Sequence, residues 1–148
     1  MDEFNTIDKV KKLFKDKGLD DSGIYLALLK DFRKYSGMVA GMDYPYGGLL
    51  LNIRDDGVGY FYLNQPKFSL KVTLEKLVVD KDSYTFLSND NIASIQVKNF
   101  ALLNKKRKEL IIKTKDKKTH YVFGAVEDST LPYHNENMAK LIDKYFVK

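Results

Sequence analysis

The clearest structural signal in the sequence is LLLNIRDDGVGYFYLN, residues 49–64. Two runs rich in aliphatic and aromatic residues, 49–53 and 58–64, flank the triplet Asp55-Asp56-Gly57. A glycine-ended turn between two such runs is typical of a β-hairpin, because glycine adopts the backbone angles that a tight turn requires. This stretch therefore predicts a pair of antiparallel strands.

Further strands are predicted on the C-terminal side of this hairpin. Leu70, Val72 and Leu74 alternate with polar residues, and the alternation changes parity at Leu77, which predicts a third strand kinked near Lys76. Four more short apolar runs, separated by turn-forming or charged residues, are residues 84–87, 92–97, 110–113 and 119–123. Counted with the first hairpin, the sequence predicts seven short strands.

The C-terminus returns to helical periodicity. Asn135 can cap a helix, and Glu136 suits its first turn. The apolar residues that follow fall on one stripe: Met138, Leu141, Ile142, Tyr145 and Phe146. The sequence therefore predicts an amphipathic C-terminal helix that packs on the sheet.

The first 37 residues also have helical spacing. One apolar series follows a cap at Asn5 or Thr6 and ends before Gly18: Ile7, Val10, Leu13 and Phe14. A second follows capping residues 20–22 and ends before Gly37: Ile24, Leu28, Leu29, Phe32 and Tyr35. Residues 1–37 are thus predicted to form an N-terminal helical hairpin that is not an independent domain. The glycine-rich residues 38–48 predict a connector, and residues 38–148 the main domain.

Composition places the chain among ordinary globular proteins. Its 148 residues suit one domain, and 44% hydrophobic with 30% charged residues exclude disorder of the whole chain. The absence of cysteine excludes disulfides and sulfur-ligated zinc, and favours a reducing compartment. The N-terminus is acidic where a signal peptide is basic, and no apolar run approaches about 20 residues. We therefore expect a cytoplasmic protein without a transmembrane segment.

Seven short strands followed by one amphipathic helix resemble the pleckstrin-homology-like (PH-like) domains. Residues 48–148 are similar to bacterial PH-like and GRAM-like members, in which a segment like LSNDNIASIQV (87–97) precedes a hairpin like LIIKTKDKKTHYVF (110–123) and a terminal helix. The resemblance implies an α+β, mainly β fold: a seven-stranded antiparallel sheet or barrel capped by the C-terminal helix. Here the N-terminal helical hairpin would precede it.

The resemblance also carries functional expectations. Many PH-like domains bind phosphoinositides through basic residues in the loop after the first strand, and other members bind peptides or act as scaffolds. In this sequence Asp55-Asp56-Gly57 would occupy that loop, and its carboxylates would repel phosphates. The first expectation is therefore a non-catalytic interaction module that binds a protein partner or associates with itself.

The most unusual local feature is the run of cations Lys105, Lys106, Arg107 and Lys108. Residues 98–118 contain nine cations and two acids, while the whole chain carries only +5, so the rest is slightly acidic. Consecutive cations repel one another and predict a loop that offers ligands to phosphate. This loop makes peripheral binding of anionic lipid or another polyanion the alternative function. Lysines that merely keep a sheet edge soluble are the simpler interpretation.

No catalytic or cofactor motif accompanies these features. His120 and His134 lack metal-binding spacing, and the chain has no serine elbow or glycine-rich phosphate loop. Tyrosines and phenylalanines crowd residues 44–62 without interleaving with the cations, so stacking on single-stranded nucleic acid is disfavoured. We expect no enzyme activity, no cofactor and no metal.

Overall fold

The computed structural model describes residues 1–34, 46–65 and 72–147. The described residues form two α-helices, α1 (Ile7–Lys15) and α2 (His134–Tyr145), and an antiparallel sheet of eight strands. The strands are β1 (Ile24–Lys30), β2 (Tyr46–Arg54), β3 (Gly57–Asn64), β4 (Val78–Val79), β5 (Thr85–Ser88), β6 (Ile92–Ala101), β7 (Asn104–Thr114) and β8 (Thr119–Ala125). The predicted fold class, α+β and mainly β, is confirmed.

The sheet joins two meanders. Its order is β4-β3-β2-β1-β8-β7-β6, with β5 pairing beside β4 on the same edge of β3. The meanders β1-β2-β3 and β6-β7-β8 meet where Leu29 pairs with Phe123 and Lys30 with Val122. Two residue pairs form this junction, and they bring the end of β1 close to the β6–β7 hairpin.

The second helix of the predicted N-terminal hairpin is wrong, because residues 24–30 form β1 in the middle of the sheet. The run IYLALLK is buried on both faces: Leu26 packs in one core and Ala27 in the other. A short apolar run of this kind fits a buried strand as well as a helix. Pairing with β2 and β8 outweighs the helix preference of leucine and alanine. Tyr35 and Gly37 lie outside the described residues.

The two helices cover opposite faces of the sheet. Helix α1, predicted from its apolar spacing, buries Val10 and Phe14 against the outer face of β1 to β3. Helix α2 buries Met138 and Leu141 in the other core, which lies between the two meanders. Alternate residues of β1 thus face a different helix, which explains why this strand is apolar throughout.

The structure differs in detail from the predicted third strand and from the predicted connector. Leu74–Lys76 form a 3₁₀ turn that precedes the two-residue β4, so the chain bends near Lys76 as predicted, while Leu70 lies outside the described residues. Of the predicted connector, residues 38–45 are likewise outside, and Gly48 belongs to β2. A Cβ atom on Gly48 would collide with the carbonyl oxygen of Leu28, so this glycine allows β1 and β2 to pair.

Candidate functional site

The predicted basic loop is a strand. Lys105, Lys106, Arg107 and Lys108 all lie in β7. The pairing of β7 with β6 is irregular at this point: Lys108 pairs with Asn99 and Asn104 with Ala101, so β7 has two more residues than β6 between these pairs. The cation run therefore lies where the ladder between the two strands is disrupted.

The cations are not confined to one face of the hairpin. Arg107 shares the face of Glu109, whereas Lys108 shares that of the buried Leu110. Lys105, Lys106 and Arg107 are exposed. The partly buried Lys108 donates to the side chain of Asn99, and its Nζ lies 4.9 Å from the centre of the Phe146 ring. Three of the four charges therefore face solvent.

The end of the hairpin is uniformly basic. Residues 98–108 contain five cations and no acid, and none of these eleven residues is buried. Within the described ranges, no salt bridge involves any of the five: Lys98, Lys105, Lys106, Arg107 and Lys108. The described carboxylates therefore leave this charge uncompensated.

An apolar pair forms the tip. Leu102 and Leu103 connect β6 to β7, and each is 93% exposed. The other exposed large hydrophobic residues among those described, Val78 and Val147, are 39% and 45% exposed. Two almost fully exposed leucines therefore stand at the end of the basic hairpin.

A buried ionic cluster braces the base of this hairpin. Asp31, at the end of β1, is 1% exposed and accepts two hydrogen bonds of 2.9 Å from the guanidinium of Arg33. The same guanidinium donates to the carbonyl oxygen of Phe100 at 2.9 Å and lies 3.6 Å from the centre of its ring. Arg33 therefore ties the end of β1 to β6, two residues before the leucine tip.

Glu109 of β7 completes the cluster. It is 3% exposed, its Oε1 lies 3.9 Å from Nζ of Lys34, and its buried Oε2 has no hydrogen-bond partner among the described residues. Burial, together with the neighbouring Asp31, raises the pKa of Glu109 to about 7. For Asp31 burial acts in the same direction, but the hydrogen bonds from Arg33 outweigh it and lower the pKa. At mildly acidic pH the pair is therefore a protonated Glu109 beside the carboxylate of Asp31.

The two histidines occupy separate environments. His120 lies in β8 with its ring 5.5 Å from that of Tyr60, and burial, aided by Lys30 and Lys118, lowers its pKa. His134 is the first residue of α2, and its Nε2 lies 2.6 Å from the carbonyl oxygen of Ala125. No group of three or more His, Asp or Glu side chains among the described residues is arranged to hold a metal ion.

The helix cap lies two residues before the predicted one, because Tyr133 and not Asn135 is the N-cap of α2. Helix α2 begins at His134, so Asn135 lies inside it and its Oδ1 accepts a hydrogen bond from the backbone nitrogen of Asp128. Asn135 therefore fastens the segment that leads from β8 to the helix.

The acidic turn has a different place from the one the resemblance implied. Because β1 precedes it, Asp55-Asp56-Gly57 joins the second and third strands and does not follow the first. Asp56 pairs with Arg54 at 3.0 Å, and Asp55 lies 3.3 Å from Nζ of Lys144. These carboxylates are engaged in ion pairs within the domain. The argument that they occupy a phosphate-binding loop therefore does not apply.

Sequence reasoning missed the leucine tip and the ionic cluster. The pair Leu102-Leu103 adjoins the cation run and could have been noticed as an apolar interruption between polar residues. Nothing local relates Asp31 or Arg33 to Glu109, because only the pairing of β1, β8 and β7 brings them together.

Comparison of the chain with protein-family models, with curated proteins and with solved structures finds no match. None of the described helices is long and apolar enough to cross a bilayer. The chemistry of the β6–β7 hairpin is therefore the basis for assigning a function.

Proposed function

We propose that this protein is a non-catalytic interaction module of PH-like fold that attaches to anionic lipid surfaces through the β6–β7 hairpin. The observation that carries the proposal is the cluster of five cations on residues 98–108, with no acid among them and no salt bridge to the described carboxylates. Such a cluster attracts a surface rich in negative charge.

The order of the strands supports the PH-like part of this proposal. Two antiparallel meanders are joined through β1 and β8, and the amphipathic helix α2 follows the last strand and packs into the core between them. The resemblance noted in the sequence has the same order of strands and terminal helix. In this chain residues 24–30 would supply the first strand.

The distribution of the cations favours a surface over a folded protein partner. The charges stand on both faces of a hairpin end that has no buried residue. A protein would have to surround the hairpin with acidic groups to neutralise both faces, whereas a planar anionic surface approached end-on meets all of them. The geometry therefore favours the lipid alternative over the protein partner expected from the sequence.

Charge alone gives weak, reversible attachment. Each cation near an anionic membrane contributes about 1 kcal/mol, so five contribute about 5 kcal/mol. A binding free energy of that size corresponds to a dissociation constant on the order of 10⁻⁴ M. This interaction is strongly dependent on salt, because the Debye length is only about 8 Å at physiological ionic strength.

Co-sedimentation with lipid vesicles tests the proposal. Wild-type protein is mixed with phosphatidylglycerol or phosphatidylcholine vesicles at low and at physiological salt. We expect binding to the anionic vesicles only, weaker at higher salt, and lost when Lys105, Lys106, Arg107 and Lys108 are all changed to serine.

The matched control is the quadruple serine variant of Lys113, Lys115, Lys117 and Lys118. These residues carry the same charge as the hairpin run and are exposed at the other end of β7 and in the turn that follows it, about 20 Å away. We expect this variant to retain most of the binding. Equal loss in both variants would contradict a hairpin-specific site. If the wild-type protein binds neither kind of vesicle, the lipid proposal is wrong and a protein partner becomes the preferred assignment.

A further inference from the structure

The leucine tip and the cations follow one another along the hairpin axis. Leu102 and Leu103 are 93% exposed at the end, and the cationic residues begin at Lys105. With a rise of about 3.4 Å per residue, Lys105 stands about 7 Å behind Leu103, and Lys108, which pairs with Asn99, stands about 10 Å behind the tip. The apolar end thus precedes the basic zone in any end-on approach.

These spacings match the layers of a lipid leaflet. The polar headgroup region is about 5 to 7 Å thick on each side of the hydrocarbon core. Leucines placed at the edge of the hydrocarbon would leave Lys105 at the outer limit of the headgroups. Lys106, Arg107 and Lys108 would lie a few ångströms farther out, within the Debye length of about 8 Å over which the surface potential acts.

The hairpin holds both leucines at its end, away from the protein core. Ala101 pairs with Asn104, which leaves only Leu102 and Leu103 in the connection. Behind them, Arg33 holds Phe100 through a hydrogen bond to its carbonyl oxygen and a contact with its ring. The tip is therefore presented on a hydrogen-bonded and braced support.

From this arrangement we infer that Leu102 and Leu103 insert into the hydrocarbon of an anionic bilayer while the flanking cations bind its headgroups. The inference rests on the proposed attachment and specifies a bilayer as the partner. A nucleic acid or another soluble polyanion would satisfy the cations but would offer no apolar volume to the leucines. Combined apolar burial and attraction to anionic lipids is the usual physical basis of interfacial membrane binding.

Tryptophan fluorescence can test insertion directly, because the chain contains no tryptophan. In the variant Leu102→Trp the introduced side chain is the only indole. On phosphatidylglycerol vesicles we expect its emission to shift to shorter wavelength, and lipids brominated on their acyl chains to quench it. The control is Val78→Trp on β4, at the opposite edge of the sheet, which should show neither effect.

A second measurement covers the case in which the tryptophan itself alters binding. The double variant Leu102→Ser/Leu103→Ser keeps every cation and should bind phosphatidylglycerol vesicles about tenfold or more weakly than wild type. Its elution from a heparin column should be unchanged, because heparin offers charge without an apolar layer.

The outcomes separate the two proposals. If the vesicles bind the double serine variant as tightly as wild type, or if bromolipids do not quench vesicle-bound Leu102→Trp, insertion is wrong and attachment through charge stands. If wild-type protein is retained by heparin but not by vesicles, the bilayer itself is wrong as the partner, and both proposals fail.

Discussion

The buried carboxyl groups of Asp31 and Glu109 lie beside each other where β1 meets the β6–β7 hairpin, and each shifts the pKa of the other. Two neighbouring carboxylates would repel each other in a site with little water, so one of the two groups keeps its proton to higher pH. Arg33 stabilises the charged form of Asp31, so the proton resides on Glu109. This relationship makes the stability of the domain dependent on pH.

Glutamine at position 109 should remove that dependence. The pKa of Glu109 is raised from 4.5 to about 7, so the folded protein holds this proton more tightly than the unfolded chain. The contribution of Glu109 to the free energy of unfolding should therefore fall as the pH rises from about 4.5 through about 7, whereas His120, whose pKa is lowered in the folded protein, contributes in the opposite direction. In urea denaturation we expect Glu109→Gln to gain stability relative to wild type between pH 5 and pH 8 and to be the more stable protein at pH 8. The exposed Glu127→Gln should leave the wild-type profile unchanged. The prediction would be contradicted if Glu109→Gln did not gain stability relative to wild type over this range.

Loss of the arginine brace should destabilise the domain. Arg33→Met leaves the Asp31 carboxylate buried without its bidentate partner, which we expect to cost about 2 to 4 kcal/mol in the free energy of unfolding. The control Arg107→Met, whose guanidinium lies 5.9 Å from the Phe100 ring and is exposed, should cost less than about 0.5 kcal/mol. If the cost arises from the unpaired carboxylate, adding Asp31→Asn to Arg33→Met should restore part of the stability.

Two glycines with similar backbone angles should respond differently to alanine. Gly18 has φ of +95° and no atom within 4 Å of the place a Cβ would take, so Gly18→Ala should cost only the backbone strain, about 1 to 2 kcal/mol. Gly23 has φ of +101°, and its Cβ would lie 2.6 Å from the carbonyl oxygen of Ile53. We expect Gly23→Ala to cost at least about 1 kcal/mol more, measured by urea denaturation. Equal costs would show that β2 moves away from the added methyl group at no cost in the free energy of unfolding.

The N-terminal helix should contribute to the stability of the sheet through Phe14. This side chain is fully buried, and its ring centre lies 5.1 Å from that of Phe61 and 5.9 Å from that of Tyr25. We expect Phe14→Ala to lower the free energy of unfolding by about 3 to 5 kcal/mol. The exposed Lys12→Ala, which removes only a surface ion pair with Asp16, should change it by less than about 1 kcal/mol. A loss of similar size in both variants would mean that α1 is only loosely packed.

Much of the sheet could be predicted from local patterns. Strands β2, β3 and β5 to β8 lie where short apolar runs are bounded by glycine, asparagine or charged residues, and α2 lies where the apolar stripe has helical period. The cation run was also visible, but its conformation was not. Its like charges suggested a loop, whereas Lys105 to Lys108 lie in β7, whose pairing with β6 is irregular at this point.

What the sequence determined by itself is what short-range periodicity and charge record: strands β2, β3 and β5 to β8, both helices, and the concentration of cations in residues 98–118. Only the tertiary structure decided that residues 24–30 form the central strand, since a segment buried on both faces has no polar side to reveal its period. Only the tertiary structure, too, placed Asp31 against Glu109, because that contact depends on the pairing of β1 with β8 and of β8 with β7. Local patterns report which side of an element faces water, whereas contacts between distant segments are set by how the elements pack.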